Sequence, residues 1–390
     1  MRKIISIMLM CIFCFMSLTG CSLLKNRDNL DDYVFSDGSK TKNESNTNGM
    51  PKEDIKIGVL YLESSQDSSG YTYSHELGIK AMQFNVGLND EQIVRKNNVS
   101  SDNEIRVEAA IKECVDAECN IIFATSEGYA STITKEAEKY PDVYFSIVSG
   151  NINNNKNLNS YFGRMYQARY LSGIVAGMNT KSDKIGYVAA QGLDNSEVTS
   201  GIDAFAMGVD SVNKNAKVYV KVTGGWEDNS GEKSAANYLI SNGCDILAQH
   251  CDSNNVQNIA QNAGIYSIGY NSDTSKDAPK ASLVSCVWNW SGYYTYAVQN
   301  LIDGTWDKSN YYGGISENTI NISDLALFNA PNVKEEVDEA RKKILDGTCK
   351  IFEGKIETND GQAVGEGGKA FDDDEIINTI NWYYKNVVVC

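Results

Sequence analysis

The stretch Lys184-Ile185-Gly186-Tyr187-Val188 repeats a pattern the chain has already used at Lys56-Ile57-Gly58-Val59-Leu60. Each is a short apolar run that opens a series of strands alternating with helical patterns. In the first series IKIGVLYL (55–62), CNIIFAT (119–125) and VYFSIVS (143–149) read as strands. In the second, KIGYVAA (184–190), AKVYVKVT (216–223), CDILAQH (244–250), GIYSIGY (264–270) and ASLVSCVW (281–288) do so. Helical patterns fall between them, at 74–85, 102–117, 130–139, 166–178, 197–212, 231–241 and 254–261. Short runs rich in Val and Ile that alternate with helices predict βαβ units on parallel sheets, a doubly wound α/β fold. A series that starts twice predicts two Rossmann-like lobes joined by a hinge. Residues 51–180 with 289–320 would form the N-terminal lobe, and 181–288 with 321–390 the C-terminal lobe. About three crossings between lobes suit closure around a ligand.

The chain of 390 residues is long enough for two sizeable cores. Its start reads as a leader rather than as part of the fold. Met1-Arg2-Lys3 is basic, and IISIMLMCIFCFMSL is apolar but shorter than the ~20 residues of a spanning helix. The run ends in Leu18-Thr19-Gly20-Cys21, which resembles the lipobox of bacterial lipoproteins. That resemblance implies a signal peptide over 1–20 and a diacylglycerol on Cys21, holding the protein on the outer face of a membrane. Residues 21–50 are polar and without periodicity, as in a flexible tether.

The formal charge of −16 becomes about −18 when Arg2 and Lys3 leave with the leader. Such a chain lacks the basic face that nucleic acid or anionic lipid requires. Seven cysteines remain after the leader and Cys21: Cys114, Cys119, Cys244, Cys251, Cys286, Cys349 and Cys390. None are in C-x-x-C spacing, so a zinc or redox motif is not indicated. A Cys114–Cys119 bridge is conceivable, and free buried thiols are expected for most of them.

No G-x-S-x-G elbow, P-loop, H-E-x-x-H or G-x-G-x-x-G occurs. With two histidines there is little for a metal site, no cofactor is expected, and the reading is a binding protein rather than an enzyme. Ligands of open parallel sheets sit beyond the carboxyl ends of the strands. Counting from those ends selects Tyr71, Tyr73 and His75 after the first strand and Tyr129 after the second. It selects Trp226, then His250 and Asp252, then Asp273, then Trp288, after the later ones. Aromatic faces with carboxylates and imidazoles suit a planar heterocycle such as a purine, and also a sugar. Each residue has a plainer reading: Trp226 and Trp288 as core, Tyr73 and Tyr129 as rim, His75 as an early helix residue, Asp252 and Asp273 as helix caps.

The segments SSGYTYSHELGIKAM, TSEGY, YFGRMYQARYLSGIVAGMNTKSDKIGYVA, GGWEDNSGEKSAANYLISNGCDILAQHCDS and VWNWSGYY stand in one order. In that order they resemble the basic membrane protein family, lipid-anchored substrate-binding proteins of ABC importers with the type I periplasmic-binding fold. The branch most similar is associated with adenine and purine nucleosides, others with further heterocycles such as riboflavin. The resemblance implies ring stacking at Tyr71, where Trp is usual, and cleft positions at His75, Tyr129, Trp226, His250, Asp252 and Asp273. It implies capture of a purine base or nucleoside and its delivery to an ABC permease and its ATPase, and the protein is expected to be a monomer. The alternatives are riboflavin or a sugar as ligand, a surface sensor that signals to a membrane kinase, and an anchored hydrolase.

Overall fold

The computed structural model describes residues 49–148 and 151–390. The predicted leader, the lipid site Cys21 and nearly all of the tether lie outside the described residues. The first series comprises β1 (Ile57–Leu60), α1 (Gly70–Val86), β2 (Ile93–Lys96), α2 (Glu104–Asp116), β3 (Ile121–Ala124), α3 (Ala130–Lys139), β4 (Tyr144–Val148) and β5 (Leu158–Gly163). The second comprises α4 (Met165–Asn179), β6 (Lys184–Ala189), α5 (Ser196–Val212), β7 (Lys217–Val222), α6 (Asn229–Ser241), β8 (Ile246–His250), α7 (Asn255–Ala263), β9 (Tyr266–Asn271) and β10 (Ser282–Trp288). The remainder holds α8 (Ser291–Ile302), β11 (Tyr311–Gly313), β12 (Ile320–Ile322), α9 (Val333–Leu345), β13 (Ile356–Glu357), β14 (Ala363–Val364), α10 (Asp373–Thr379) and β15 (Val387–Val389).

One sheet runs β11-β5-β4-β3-β1-β2 and is parallel throughout. The other runs β12-β10-β9-β8-β6-β7-β15 and is parallel except where β12 returns against β10. The mixed α/β architecture with parallel sheets is thus the one expected. Inner strands β1 and β3 are buried at every residue, which is why they read as unbroken apolar runs.

Strands β2 and β5 have no such signature. Strand β2 is an edge whose Arg95 and Lys96 are only half-buried. In β5 the buried Asn159 donates to the carbonyls of Asp307 and Ser309 and accepts from Ser146, so its polar side chains are satisfied inside.

Helix α4 falls within residues 51–180 by number, yet it packs on α5, α9, β10 and β12 of the second sheet. The chain therefore changes sheet between Gly163 and Met165. It crosses again between Trp288 and Ser291, and between Gly313 and Ile320. The three crossings touch: a Cβ on Gly163 would lie 2.7 Å from Cζ3 of Trp288 and 3.2 Å from the carbonyl oxygen of Gly313. Only glycine allows that approach.

Helix α1 begins at Gly70, four residues before the helix expected from Ser74. Tyr71, Tyr73 and His75 are therefore helical. At 100° per residue, Tyr71 and His75 share a face and Tyr73 points nearly opposite.

Candidate functional site

A cavity of about 830 Å³ lies between the two sheets at the carboxyl ends of their strands. That volume falls in the range of small-molecule sites. From the first sheet's side come Tyr71 of α1, Ser126–Gly128 after β3, Phe162 of β5 and Tyr312 of β11. From the second come Asp194–Glu197 after β6, Trp226 after β7, Asp252 after β8 and Tyr270 of β9. A smaller cavity of about 410 Å³ adjoins it and shares Tyr71, Trp226 and Asp252.

Of the nine ligand positions expected from sequence, the structure brings Tyr71, Trp226 and Asp252 together on the wall. The other six lie elsewhere. His75 is wholly buried between α1 and α8: its ring stacks on Trp290 at 4.6 Å and its Nδ1 is 2.6 Å from the Tyr294 hydroxyl. Burial keeps it neutral, well below the usual imidazole range. Tyr73 packs on Leu77 and Ala81 on the far face of α1.

Tyr129 is core and donates its hydroxyl proton to the Val99 carbonyl at 2.6 Å. Asp273 accepts from the backbone N–H and hydroxyl of Ser275, a local turn. Trp288 is buried at the crossings, stacked on Trp290 at 4.3 Å. His250 stands one layer behind the wall, with Nδ1 3.2 Å from the Tyr187 hydroxyl and Nε2 3.7 Å from Oε1 of Glu197.

The wall is acidic. Glu127, Asp194, Glu197 and Asp252 line the larger cavity, and among the described residues no Lys, Arg or His does. Glu197 is pushed up to about 8, by burial first and then by Asp252 and Glu127, with Arg169 and Tyr270 pulling the other way. Asp252 is pushed up to about 7 by burial, against a hydrogen bond of 2.8 Å from Asn271. Aromatic rings from both sides, carboxyl groups, and amides such as Asn195 and Asn378 complete the surface. It can stack a flat ring and pair with N–H and O–H groups, and it repels anions such as phosphate esters. Among the described residues no group of His, Cys, Asp and Glu side chains is placed to hold a metal ion.

Sequence reasoning missed Glu197, Tyr270, Phe162 and Tyr312 as wall residues. Reading the residues after β6, as after the other strands, finds Asp194-Asn195-Ser196-Glu197. Nothing local marks Tyr312 or Ile376–Asn378, which arrive from distant segments.

The family profile "ABC transporter substrate-binding protein PnrA-like", Bmp, matches residues 55–353. The chain belongs to the Bmp family of ABC transporter substrate-binding proteins. Among curated relatives, this Bmp chain is 32% identical over 337 residues to a purine-binding protein of Brucella abortus, covering 86% of this chain and 93% of that one. It is 28% identical over 312 residues to a putative ABC transporter glucose-binding protein of Haloferax volcanii, covering 80% and 78%.

Solved structures share the fold. A transcriptional activator of the comK gene from Bacillus halodurans superposes with TM-score 0.66 at 20% identity, over 75% of the Bmp chain and 99% of that chain. An ABC transporter solute-binding protein from Aeropyrum pernix superposes with TM-score 0.64 at 18% identity, over 75% and 92%. Among the described residues of the Bmp chain no helix is long and apolar enough to cross a membrane. All seven described cysteines are free, five of them buried.

Proposed function

We propose that this Bmp-family protein is an extracytoplasmic lipoprotein that holds a purine base or nucleoside between its two lobes and delivers it to an ABC permease. The observation that carries the reading is the wall itself. Tyr71 and Trp226 come from opposite sheets, flanked by Asp252 and Glu197, with no cationic side chain on the larger cavity's described wall. Flat faces grip the base, and acids and amides take its exocyclic N–H groups or ribose hydroxyls. An uncharged nucleoside fits, and a nucleotide meets repulsion. The Brucella abortus relative, named as purine-binding, supports the same ligand class.

Titration calorimetry with adenine, adenosine, guanosine, adenosine monophosphate and glucose tests it. Saturable binding of a purine or its nucleoside, with the monophosphate much weaker, is the expected result. Exclusive binding of glucose would transfer the site to sugars, a reading favoured by the Haloferax volcanii relative and by carboxylates that also pair with pyranose hydroxyls. The anchor is tested separately. Cys21→Ser should release the protein from membranes into the medium, and retention would remove the lipid at Cys21.

A further inference from the structure

Glu197 occupies an unusual corner of the cleft. It sits in the first turn of α5 and keeps 27% of its side-chain surface exposed, on the cavity wall. Its Oε1 accepts the Tyr270 hydroxyl proton at 3.4 Å. That hydroxyl in turn accepts from Nε1 of Trp288 at 3.3 Å, so its direction is set. His250 Nε2, buried and without a hydrogen-bond partner, stands 3.7 Å from the same Oε1. Oε1 is thus committed to the protein, and Oε2 is left for the ligand.

The charges around Glu197 come from every side. Asp252 after β8 and Glu127 from the opposite sheet oppose its ionisation. Arg169 of α4 favours it, but that guanidinium lies behind, 4.2 Å over the Tyr270 ring, and makes no ion pair with the carboxylate. The helix N-terminus also favours the anion. Imidazole His250 offers no compensating charge, because burial and Arg169 keep it neutral.

We propose that Glu197 reads the ligand as a neutral acid, its Oε1 fixed as acceptor by Tyr270 and its Oε2 hydroxyl donating to an acceptor atom on the purine nucleoside. This rests on the purine reading above. It makes Glu197 a specificity residue that selects a lone pair on the ligand, where the carboxylates nearby select N–H and O–H groups. Burial drives Glu197 up to about 8, so the acid form dominates at neutral pH.

Two measurements test it. The infrared difference spectrum of ligand-free wild type minus Glu197→Gln at pH 7 should contain a protonated carboxyl band that shifts in deuterium oxide. The affinity for adenosine, which does not itself titrate in this range, should fall on the order of tenfold between pH 7.5 and 9.5 in wild type, as the proton is lost above about 8, and guanosine binding is read at pH 7.5 alone. The pH ratio should collapse to about one in Glu197→Gln, whose amide donates at every pH. A missing carboxyl band, or a wild-type pH ratio retained in Glu197→Gln, overturns the role of Glu197 while purine binding stands. Absence of binding to both nucleosides by wild type overturns the purine reading and, with it, the donor role.

Discussion

Gly70, the first residue of α1, lies against the carbonyl oxygen of Asp252 from the other sheet: a Cβ added at Gly70 would sit 2.7 Å from it. The backbone of Gly70 also has φ +85°, in the region that side chains avoid. The lobes therefore meet backbone to backbone beside Tyr71 and Asp252, two wall residues. Gly70→Ala should cost about 1 kcal/mol or more in stability and hold the lobes apart. Calorimetry should find ligand affinity reduced on the order of tenfold, and wild-type affinity would show that this contact is not part of the bound state.

Tyr71 and Trp226 contribute aromatic faces from the two lobes. Removing either ring, as Tyr71→Ala or Trp226→Ala, should weaken ligand binding by at least ~1 kcal/mol, roughly a factor of five to ten. In wild type, ligand at 100 times its Kd should add about 2.7 kcal/mol of stability. A thermal-shift series on the three proteins checks both. An undiminished shift in Tyr71→Ala would take that ring out of the site.

His75 acts on the fold. Its stacking on Trp290 and its hydrogen bond to Tyr294 join α1 to α8. His75→Ala should cost about 2–4 kcal/mol of stability through the void and the lost hydrogen bond to Tyr294, whose hydroxyl keeps only Tyr161 at 2.8 Å. Denaturant titration reads the loss, and ligand affinity measured well below the melting temperature should change little. A large loss of affinity with normal stability would return His75 to the cleft.

The raised acids set a pH dependence of stability. Glu197 has a folded-state pKa of about 8 against 4.5 for the free side chain, so the folded chain holds its proton more tightly than the unfolded chain does. Its contribution is fully present below about 4.5 and is lost as pH rises to about 8. Asp252, raised from 3.8 to about 7, acts in the same direction. Glu197→Gln carries no such loss. Its melting temperature relative to wild type should rise steadily from pH 5 to pH 8 and then level off. A difference that stays flat over this window would mean that Glu197 ionises normally in the folded protein.

How much was legible in the sequence differs from residue to residue along one helix. Tyr71, Tyr73 and His75 stand two apart, and a loop would have let all three face one ligand. Starting the helix at Gly70 sends Tyr73 to the far face and sets His75 one turn deeper, against Trp290. The positive φ of Gly70 and its contact with Asp252 explain that start, and neither is a property of the local sequence. Likewise His250 and Glu197 are 53 positions apart, and only the packing of β8 beside α5 makes one the backing of the other.

Local composition alone determined that the chain alternates strands and helices in two series, because buried parallel strands must be apolar on both faces and the helices between them must cover those faces. It also set a net charge of −16, a sum that folding does not alter and that opposes association with an anionic polymer. Which side chains reach the ligand was decided by tertiary structure. Whether Trp226 lines a cavity while Trp288 fills a core depends on where three crossings of the chain come into contact, and there Gly163 meets Trp288 and Gly313 from more than a hundred residues away.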